Sequence, residues 1–423
     1  MNKIIQAVKK ANKLHLFLLI IGINLVASVI YLLCTRGAVL DHYIVLSGRD
    51  RFMDFLNHVR YVEDPKNTYY VIKDACFPPL AYIFYLFLNR MLPITQATGT
   101  HWGTDANGEA FDVVQPYALL VYVVYAAVLT ILLYHVIIKL CKNMTQSQIL
   151  IFALSIIVSN IFVFWIFERG NSAFIVAILL MAFYLWKDSP NKIKREIAMI
   201  LLAVAAGFKV YPAIFGILYI AEKRYKEALR LIIYGVLIFF LPFAFFGGFD
   251  AIIQFVKNQG MVHSNMWGSM HSLHAVCLLY IKNEGIANIV SAILRVGVAL
   301  LAFCVVMWSR EDDYKKYYLL CAMMIILPSW NGGYTRAYLL LPLILLVNKE
   351  LRSKWEWIYT AIFAVMFSFI TYNAFISGQI FGEYVIYSMI YILTAIFLVQ
   401  GVIDIIKRIA KKISNKNTDL QKA

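Results

Sequence analysis

Long apolar runs separated by short polar stretches dominate the chain. The clearest runs are about 20 residues long, the length of helix that crosses a bilayer, and they lack the two-residue alternation of membrane β-strands. These runs are Leu14–Cys34, Pro116–Leu140, Ile149–Phe167, Ser172–Trp186, Leu231–Gly247, Ile286–Trp308, Ile358–Ile376 and Tyr384–Ile406. Shorter apolar runs are Ile197–Phe208, Pro212–Ala221, Tyr318–Leu327 and Ala337–Val347. The pattern predicts an all-α polytopic membrane protein with about twelve transmembrane helices.

Composition narrows the class of protein further. Of the 423 residues, 61% are hydrophobic and 15% are charged, whereas soluble domains are about 25% charged. So few polar side chains cannot cover so large an apolar core, which excludes a soluble enzyme, a disordered chain and a disulfide-held secreted domain. The six cysteines contain no C-x-x-C pair and are interpreted as ordinary thiols, with a Cys76–Cys277 bridge left open. We expect a single integral-membrane domain over residues 1–423.

The distribution of charge predicts the orientation. The net charge is +15, and the basic residues concentrate in short loops, which is typical of cytoplasmic loops rather than of nucleic-acid binding. Both termini are therefore predicted in the cytoplasm of a multi-pass plasma-membrane protein, with a basic cytoplasmic tail over residues 407–423. The apolar stretch Phe77–Leu92 is ambiguous because Arg90 interrupts it. If it crossed the membrane, every later basic loop would be external, so we predict that it lies along the membrane surface.

This topology leaves two long external loops, residues 35–115, which carry membrane-surface helices, and residues 248–285. Three polar tips also lie on the external side, at Glu168–Asn171, Lys209–Pro212 and Pro328–Arg336. The run before Lys209 extends roughly 18 Å at about 1.5 Å per residue, whereas the hydrocarbon core is roughly 30 Å thick. Polar backbone below the membrane surface requires a lining of protein or water. The tips therefore predict one recessed cavity that opens outward.

Charged residues at these tips are candidate ligands for an anion, because charges placed deep in a membrane are costly and usually functional. The candidates are Arg169, Lys209, Arg336 and, within a predicted span, Arg295. Alternative roles remain open at this point. Arg169 could pair with Glu168 or with a carboxylate of the first external loop, and Lys209 could extend to the interface.

Asp54 is the external carboxylate with the most apolar surroundings, Phe52-Met53-Asp54-Phe55-Leu56. His58 follows one helical turn later, on the same face of a predicted helix. Burial would raise the pKa of the Asp54 carboxyl toward that of a general base, while a nearby cation would oppose the rise. The alternative is a helix cap or an ion-pair partner of Arg49 or Arg51.

Several short motifs, taken in order, resemble the GT-C membrane glycosyltransferases. They are Asp54-Phe55, Phe77-Pro78-Pro79, Gly170-Asn171 and Lys209-Val210-Tyr211-Pro212, with weaker matches at Asn265–Ser269 and Ser329-Trp330. The resemblance is closest to glycosyltransferase family 87, the polyprenyl-phosphate-mannose-dependent mannosyltransferases, and it spans roughly residues 40–345.

The resemblance implies a GT-C-type helix bundle, an external active site and a reaction. Asp54 would be the catalytic base, and Lys209 would bind the donor phosphate. From their positions at the polar tips, Arg336 and Arg169 are further candidates for binding that phosphate. The other cavity candidates are His58, Asn171, Tyr211, Trp330 and Arg295. The donor would be a polyprenyl-phosphate sugar that lies among the lipids of the membrane. The acceptor would be a glycolipid or a cell-envelope glycan. Mannose is the family's default sugar, but residues 331–336 lack the histidine that we associate with this stretch of the family.

The residues agree independently with a lipid-phosphate donor. The sequence contains no D-x-D, H-E-x-x-H or P-loop motif, so we expect neither a metal nor a cofactor. Arginine and lysine alone can hold a lipid monophosphate. One base then suffices, and inversion at the anomeric carbon is the expected outcome. Glycoside hydrolysis would need two facing carboxylates, which the sequence does not identify.

Two other functions fit multi-pass helices with intramembrane cations. One is a polysaccharide or lipid transporter, although no internal repeat is evident. The other is a polysaccharide polymerase or ligase, against which Asp54 and the Lys-x-Tyr-Pro element argue.

The topology makes a direct prediction. A cysteine placed near Gly103 should react with a membrane-impermeant thiol reagent added outside intact cells, because residues 35–115 are predicted to be external. Reaction only after permeabilisation would contradict the twelve-span arrangement.

Overall fold

The computed structural model describes residues 13–38, 52–72, 75–91, 102–104, 110–112, 116–264, 272–329, 331–350, 353–369, 375–376 and 379–422. Helices dominate these residues. The α-helices are α1 (Lys13–Cys34), α2 (Met53–Tyr61), α3 (Thr68–Val71), α4 (Pro79–Met91), α5 (Pro116–Leu140), α6 (Gln146–Ile157), α7 (Ala173–Lys187), α8 (Lys192–Phe208), α9 (Ile217–Ala221), α10 (Tyr225–Phe240), α11 (Phe249–Ser264), α12 (Leu273–Tyr280), α13 (Glu284–Trp308), α14 (Asp313–Ile326), α15 (Leu340–Val347), α16 (Trp355–Phe367) and α17 (Phe381–Lys422).

Shorter elements join these helices. A π-helix covers Ile161–Glu168, and 3-10 helices cover Pro65–Asn67, Tyr211–Gly216, Leu241–Phe245 and Gly333–Leu339. Two short antiparallel hairpins are formed by β1 (Trp102–Thr104) with β2 (Ala110–Asp112) and by β3 (Phe375–Ile376) with β4 (Gln379–Ile380).

Five helical segments in the described part of the chain are long and apolar enough to cross a membrane. They are Lys13–Cys34, Leu119–Leu140, Tyr225–Phe245, Glu284–Trp308 and Gly382–Asn415. A sixth would be the pair Gln146–Ile157 and Ile161–Glu168, which is bent by 57°. Shorter apolar helices are Ala173–Lys187, Tyr211–Ala221, Gly333–Val347 and Trp355–Phe367. The helical, polytopic membrane character is therefore confirmed, while the number twelve stays a prediction.

Some helix boundaries differ from the apolar runs. Helix α8 begins at Lys192 rather than at Ile197, because the Asn191 side chain accepts hydrogen bonds from the backbone N–H groups of Ile193 and Lys194 and starts a polar first turn. With 17 residues the helix extends roughly 25 Å at about 1.5 Å per residue, and the added residues are the polar ones at the end opposite the tip. In the second external loop, α11 and α12 replace much of the predicted loop.

Helix α4 occupies the ambiguous stretch Phe77–Leu92. It has 13 residues, fewer than the approximately 20 that cross a bilayer. Its inner face is buried through Ala81, Tyr82 and Tyr85. Its length agrees with a position along the membrane surface.

Buried ion pairs join distant helices of the bundle. Lys13, in α1, lies 2.6 Å from Glu356, in α16, and both side chains are 1% exposed. Ion pairs this deeply buried are costly unless both charges are well partnered. The pair therefore holds the first helix against the later part of the chain.

Helix α11 fixes the segment that leads to the candidate site. The Asn258 amide donates hydrogen bonds to the carbonyls of Tyr69 at 2.9 Å and Ala75 at 3.1 Å. The Tyr69 hydroxyl in turn donates to the carbonyl of Phe77 at 2.8 Å. Phe77 is thus held through its backbone by the two predicted external loops together.

Gly170 permits the close approach of α2 to the tip at residues 168–171. Its φ is +71°, and a Cβ there would lie 2.7 Å from the Phe55 Cβ and 2.9 Å from the Tyr122 ring. Both the backbone conformation and the space thus favour glycine.

We expect Gly170→Ala to move α2 away from the tip and to lower thermal stability. Gly22→Ala is the matched control, because nothing lies within 4 Å of the added Cβ and its φ is ordinary. Thermal unfolding in detergent measures the difference between the two variants. Equal melting temperatures for them would contradict the steric argument.

Candidate active site

The first turn of α2 docks on the polar tip between the π-helix and α7. The backbone N–H of Phe52 donates to the carbonyl of Glu168, and the N–H of Asp54 donates to the carbonyl of Arg169 at 3.0 Å. These bonds satisfy N–H groups that a helix start leaves without intrahelical partners. On the inner face of α2, Phe55 packs between the rings of Tyr122 and Tyr125, at centroid distances of 5.2 and 5.0 Å. The docking brings together residues more than one hundred positions apart.

The Asp54 carboxylate is held at both oxygens by this tip. Arg169 Nη2 lies 2.8 Å from Oδ1, and Asn171 Nδ2 lies 2.7 Å from Oδ2. Asn171 Oδ1 accepts from the backbone N–H of Ala173 at 2.9 Å, at the start of α7. This second bond fixes which end of the amide faces Asp54. Arg169 therefore pairs with a carboxylate of the first external loop, one of the two pairings left open by the sequence.

These partners determine the charge of Asp54. Burial raises the pKa of its carboxyl, but the Arg169 guanidinium and the hydrogen bond from Asn171 together lower it by more, so that the pKa lies below its ordinary value. Of the two opposed effects expected from the sequence, the cation prevails. Asp54 is therefore ionised at neutral pH and can accept a proton.

His58 lies one turn after Asp54, buried among aromatic rings. Its ring centroid is 4.0 Å from that of Phe77 and 5.2 Å from that of Tyr85. Burial lowers the pKa of His58 to about 3, with the Asp54 charge opposing the fall. Its Nδ1 has no hydrogen-bond partner among the described residues. His58 is thus neutral and packs α2 against Phe77.

Lys209 lies between two aromatic rings. Its Nζ is 4.4 Å from the centroid of the Phe77 ring and 4.6 Å from that of Tyr334, which are cation–π distances. The residue is 6% exposed, so it does not extend to the interface. Burial lowers its pKa to about 8, against the opposing charge of Asp54. No carboxylate in the described part of the chain forms an ion pair with it.

A cavity of about 300 Å³ opens beside Lys209. It lies where the segment before α4, the turn after α8 and the segment after α14 meet α11. Its wall includes Phe77, Lys209, Tyr211, Ser329, Asn331 and Tyr334. Asp54 is not part of this wall. The Phe77 ring lies between the cavity and the helix that carries Asp54, because it contacts both Lys209 and His58.

A second cavity, of about 490 Å³, is lined by apolar residues of α8, the 3-10 helix Tyr211–Gly216, α9 and α10. Its lining includes Ala206 and Ala213, which lie within one helical turn of Lys209 in the sequence.

The remaining predicted residues take different positions. Arg336 is fully buried, and its Nη2 lies 3.1 Å from Glu383 Oε1 and 3.3 Å from Asn160 Oδ1. Arg336 is not part of the cavity wall, and its pairing with Glu383 does not favour a role as a phosphate ligand. That role stays a prediction.

Arg295 Nη1 donates to the Ser329 hydroxyl at 2.8 Å, just behind the cavity wall. Trp330 lies outside the described residues.

Sequence reasoning missed several residues of the site. Tyr334 and Ser329 line the cavity, and the Gln259 amide of α11 donates to the carbonyl of Cys76 beside it. Tyr334 and Ser329 both lie within the predicted polar tip Pro328–Arg336, so the tip could have identified them as candidates for the cavity wall. Nothing in the sequence around Gln259 distinguishes it from other polar residues of an external loop.

A family model supplies the comparison with known proteins. The model for glycosyltransferase family 87 matches residues 110–329, which is just over half of the chain. The chain belongs to glycosyltransferase family 87. The matched range contains Arg169, Asn171, Lys209 and Arg295, whereas Asp54 and Arg336 lie outside it. Neither the curated proteins nor the solved structures gave a match to this chain.

Family membership identifies the protein as a glycosyltransferase, with a sugar donor and an acceptor as substrates. Among the described residues, no group of three or more His, Cys, Asp or Glu side chains is arranged to hold a metal ion. The candidate site contains an ionised carboxylate, Asp54, and a buried ammonium, Lys209, that has no carboxylate partner among the described residues. One can accept a proton, and the other can bind an anion.

Lys209 predicts an alkaline limit for use of an anionic donor. Only the protonated ammonium attracts a phosphate, so kcat/KM for the donor should fall as pH rises through about 8. Lys209→Arg should remove this fall, because a guanidinium stays protonated to about pH 12. An identical alkaline limit in Lys209→Arg would show that another group titrates. The acidic side should stay flat down to about pH 4, the ordinary range of a carboxyl pKa, since Asp54 titrates below it.

Proposed function

We propose that the protein is an inverting glycosyltransferase that uses a polyprenyl-phosphate sugar. It moves a hexose, mannose by the family's default, to a glycolipid or cell-envelope glycan acceptor on the outer face of the plasma membrane. Two groups near Phe77 carry the proposal: Asp54, ionised and held by Arg169 and Asn171, and the Lys209 ammonium, which has no carboxylate partner among the described residues.

The donor phosphate binds at Lys209. A buried cation without a carboxylate partner costs free energy, and an anionic ligand supplies the missing charge. A charge-assisted hydrogen bond to phosphate contributes about 1.5–3 kcal/mol. Tyr334 and Phe77 exclude water from the ammonium and so strengthen its attraction to the anion.

The apolar cavity beside α8 suits the isoprenoid chain of the same donor. Its lining includes Ala206 and Ala213, three positions before and four positions after Lys209 in the sequence. We therefore assign the first isoprene units to this part of the lining. The sugar, on the other side of the phosphate, then extends past Phe77 toward Asp54.

The reaction needs one base. The acceptor hydroxyl oxygen attacks the anomeric carbon while the bond from that carbon to the phosphate oxygen breaks. The hydroxyl proton passes to the Asp54 carboxylate, and the electron pair of the broken bond leaves with polyprenyl phosphate, whose charge Lys209 stabilises. A carboxylate offers about four acceptor positions, so the bonds from Arg169 and Asn171 leave room for the hydroxyl. Attack opposite the leaving group inverts the anomeric configuration.

Asp54→Asn tests the assignment of the base. Asparagine has nearly the same volume but cannot take up the proton, and loss of a general base typically slows turnover by about 10²–10⁴-fold. Donor binding should persist, because Lys209 is unchanged. Turnover is measured as polyprenyl phosphate released from a synthetic donor, and donor binding by isothermal titration.

Asp64→Asn is the matched control, since Asp64 is an exposed carboxylate of the same loop that bonds only the Asn67 side chain among the described side chains. It should retain wild-type turnover. A correctly folded Asp54→Asn protein that transfers sugar at the wild-type rate would contradict the mechanism.

A further inference from the structure

Most buried cations of the structure have a carboxylate partner. Lys13 pairs with Glu356, Lys187 with Asp188 and Glu222, and Arg336 with Glu383. In the described part of the chain, the half-buried Arg295 has no such partner, although it lies near the middle of the 25-residue apolar helix α13. An arginine at this depth is costly without a counter-charge.

The guanidinium of Arg295 is engaged on one side only. Nη1 donates to the Ser329 hydroxyl at 2.8 Å and to the Leu327 carbonyl at 3.4 Å. Nε is buried and has no acceptor among the described residues, and Nη2 donates to none of them either. The Nε and Nη2 groups form the edge that binds both oxygens of a phosphate or carboxylate side by side. That edge is available.

The surroundings of this edge are polar, and no carboxylate among the described residues pairs with Arg295; the charge of Glu284, at the start of α13, acts on His274 instead. His274, in α12, lies on the same side of α13, with its Nδ1 3.0 Å from the Ser291 hydroxyl. Ser291 is one turn before Arg295 on α13. The Ser272 hydroxyl donates to the Ser329 carbonyl at 3.0 Å and so ties the start of α12 to the same segment. Neutral donors and a second nitrogen base around an arginine favour an anion over a cation.

This cluster adjoins the cavity that contains Lys209. Ser329 contacts Arg295 through its hydroxyl and also lines the cavity wall. Two cations near the cavity therefore have no carboxylate partner among the described residues, Lys209 in the cavity wall and Arg295 behind Ser329 on the α13 side. A polyprenyl-phosphate sugar carries one phosphate, which accounts for only one of them.

We infer that Arg295, with His274 and Ser291, forms a second phosphate subsite, which binds the phosphate of a second lipid, the acceptor. The inference rests on the proposed function, because it takes Lys209 as the donor subsite. The acceptor is then an anionic glycolipid whose phosphate lies on the α13 side, with its sugar hydroxyl directed toward Asp54. The depth of Arg295 within an apolar helix favours a phosphate carried by a lipid over one dissolved in water.

The test counts bound lipid phosphates on the full-length protein. Native mass spectrometry in a neutral detergent, with farnesyl phosphate as the probe, should show two ligands on the wild-type chain. Arg295→Gln should lose one of them, with a roughly tenfold to hundredfold weaker second affinity, and should keep the other. Arg295→Lys, which retains the charge but not the two-pronged edge, should keep two ligands and bind the second about tenfold more weakly. Lys282→Gln, an exposed lysine between α12 and α13, is the control and should bind as the wild type does.

The outcomes separate the two assignments. The second subsite would be overturned if Arg295→Gln still bound two ligands with an unchanged melting temperature. It would also be overturned if the wild type bound a single ligand and both Lys209→Gln and Arg295→Gln weakened that binding. If Lys209→Gln bound two ligands while Arg295→Gln bound one, the assignment of the donor phosphate to Lys209 would be contradicted. The assignment of the second subsite to Arg295 would still hold. If inorganic phosphate displaced the second ligand and bound there as tightly as farnesyl phosphate, the assignment of this subsite to a lipid phosphate would be overturned.

Discussion

The bonds from Arg169 and Asn171 to the two oxygens of Asp54 are the constraint on which the site depends. They join α2 to the start of α7 across more than one hundred residues, and the two backbone bonds beside them fix the first turn of α2 on the same tip. Gly170 makes the approach sterically possible. The position of Asp54, the exposure of its remaining lone pairs and the packing of His58 on Phe77 all follow from this docking.

The same bonds also set the chemistry of the carboxylate. A carboxylate beside an arginine is a weaker base than an isolated one, but it is ionised over the whole physiological range. A transferase with a good leaving group can use such a base, since the proton becomes acidic only as the new bond to the anomeric carbon forms. Pairing thus secures the protonation state at the expense of basicity, and in the proposed reaction the oxygens keep acceptor positions for the hydroxyl.

Lys209 shows the opposite arrangement. The buried lysines and arginines that hold the bundle together, such as Lys13 and Arg336, are neutralised by carboxylates of distant helices. Among the described residues, Lys209 faces aromatic rings and the cavity without a carboxylate partner, and burial lowers its pKa to about 8. An anionic substrate would supply a negative charge beside the Lys209 ammonium. The burial of Lys209 by the fold would therefore favour binding of such a substrate.

Part of this arrangement could be predicted from the sequence. The apolar runs identified the long helices, and the polar tips between them identified Arg169, Asn171 and Lys209, because charges and glycines interrupt apolar sequence only where a cavity or a surface accommodates them. The partners could not be predicted, since they depend on packing between remote segments. Arg336, set among glycines and aromatic residues, has the local sequence of a ligand-binding arginine, yet Glu383 at the start of α17 neutralises it. The first polar turn of α8 was missed because its cap, Asn191, lies outside the apolar run.

The stereochemistry of transfer tests the account most directly. A synthetic polyprenyl-phosphate hexose with a β-linked sugar is supplied to the purified protein with membrane glycolipid as acceptor, and the anomeric configuration of the product is measured by nuclear magnetic resonance. The inverting mechanism predicts an α-linked product, with one polyprenyl phosphate released for each sugar transferred. A β-linked product, or transfer only from a nucleotide sugar, would contradict it.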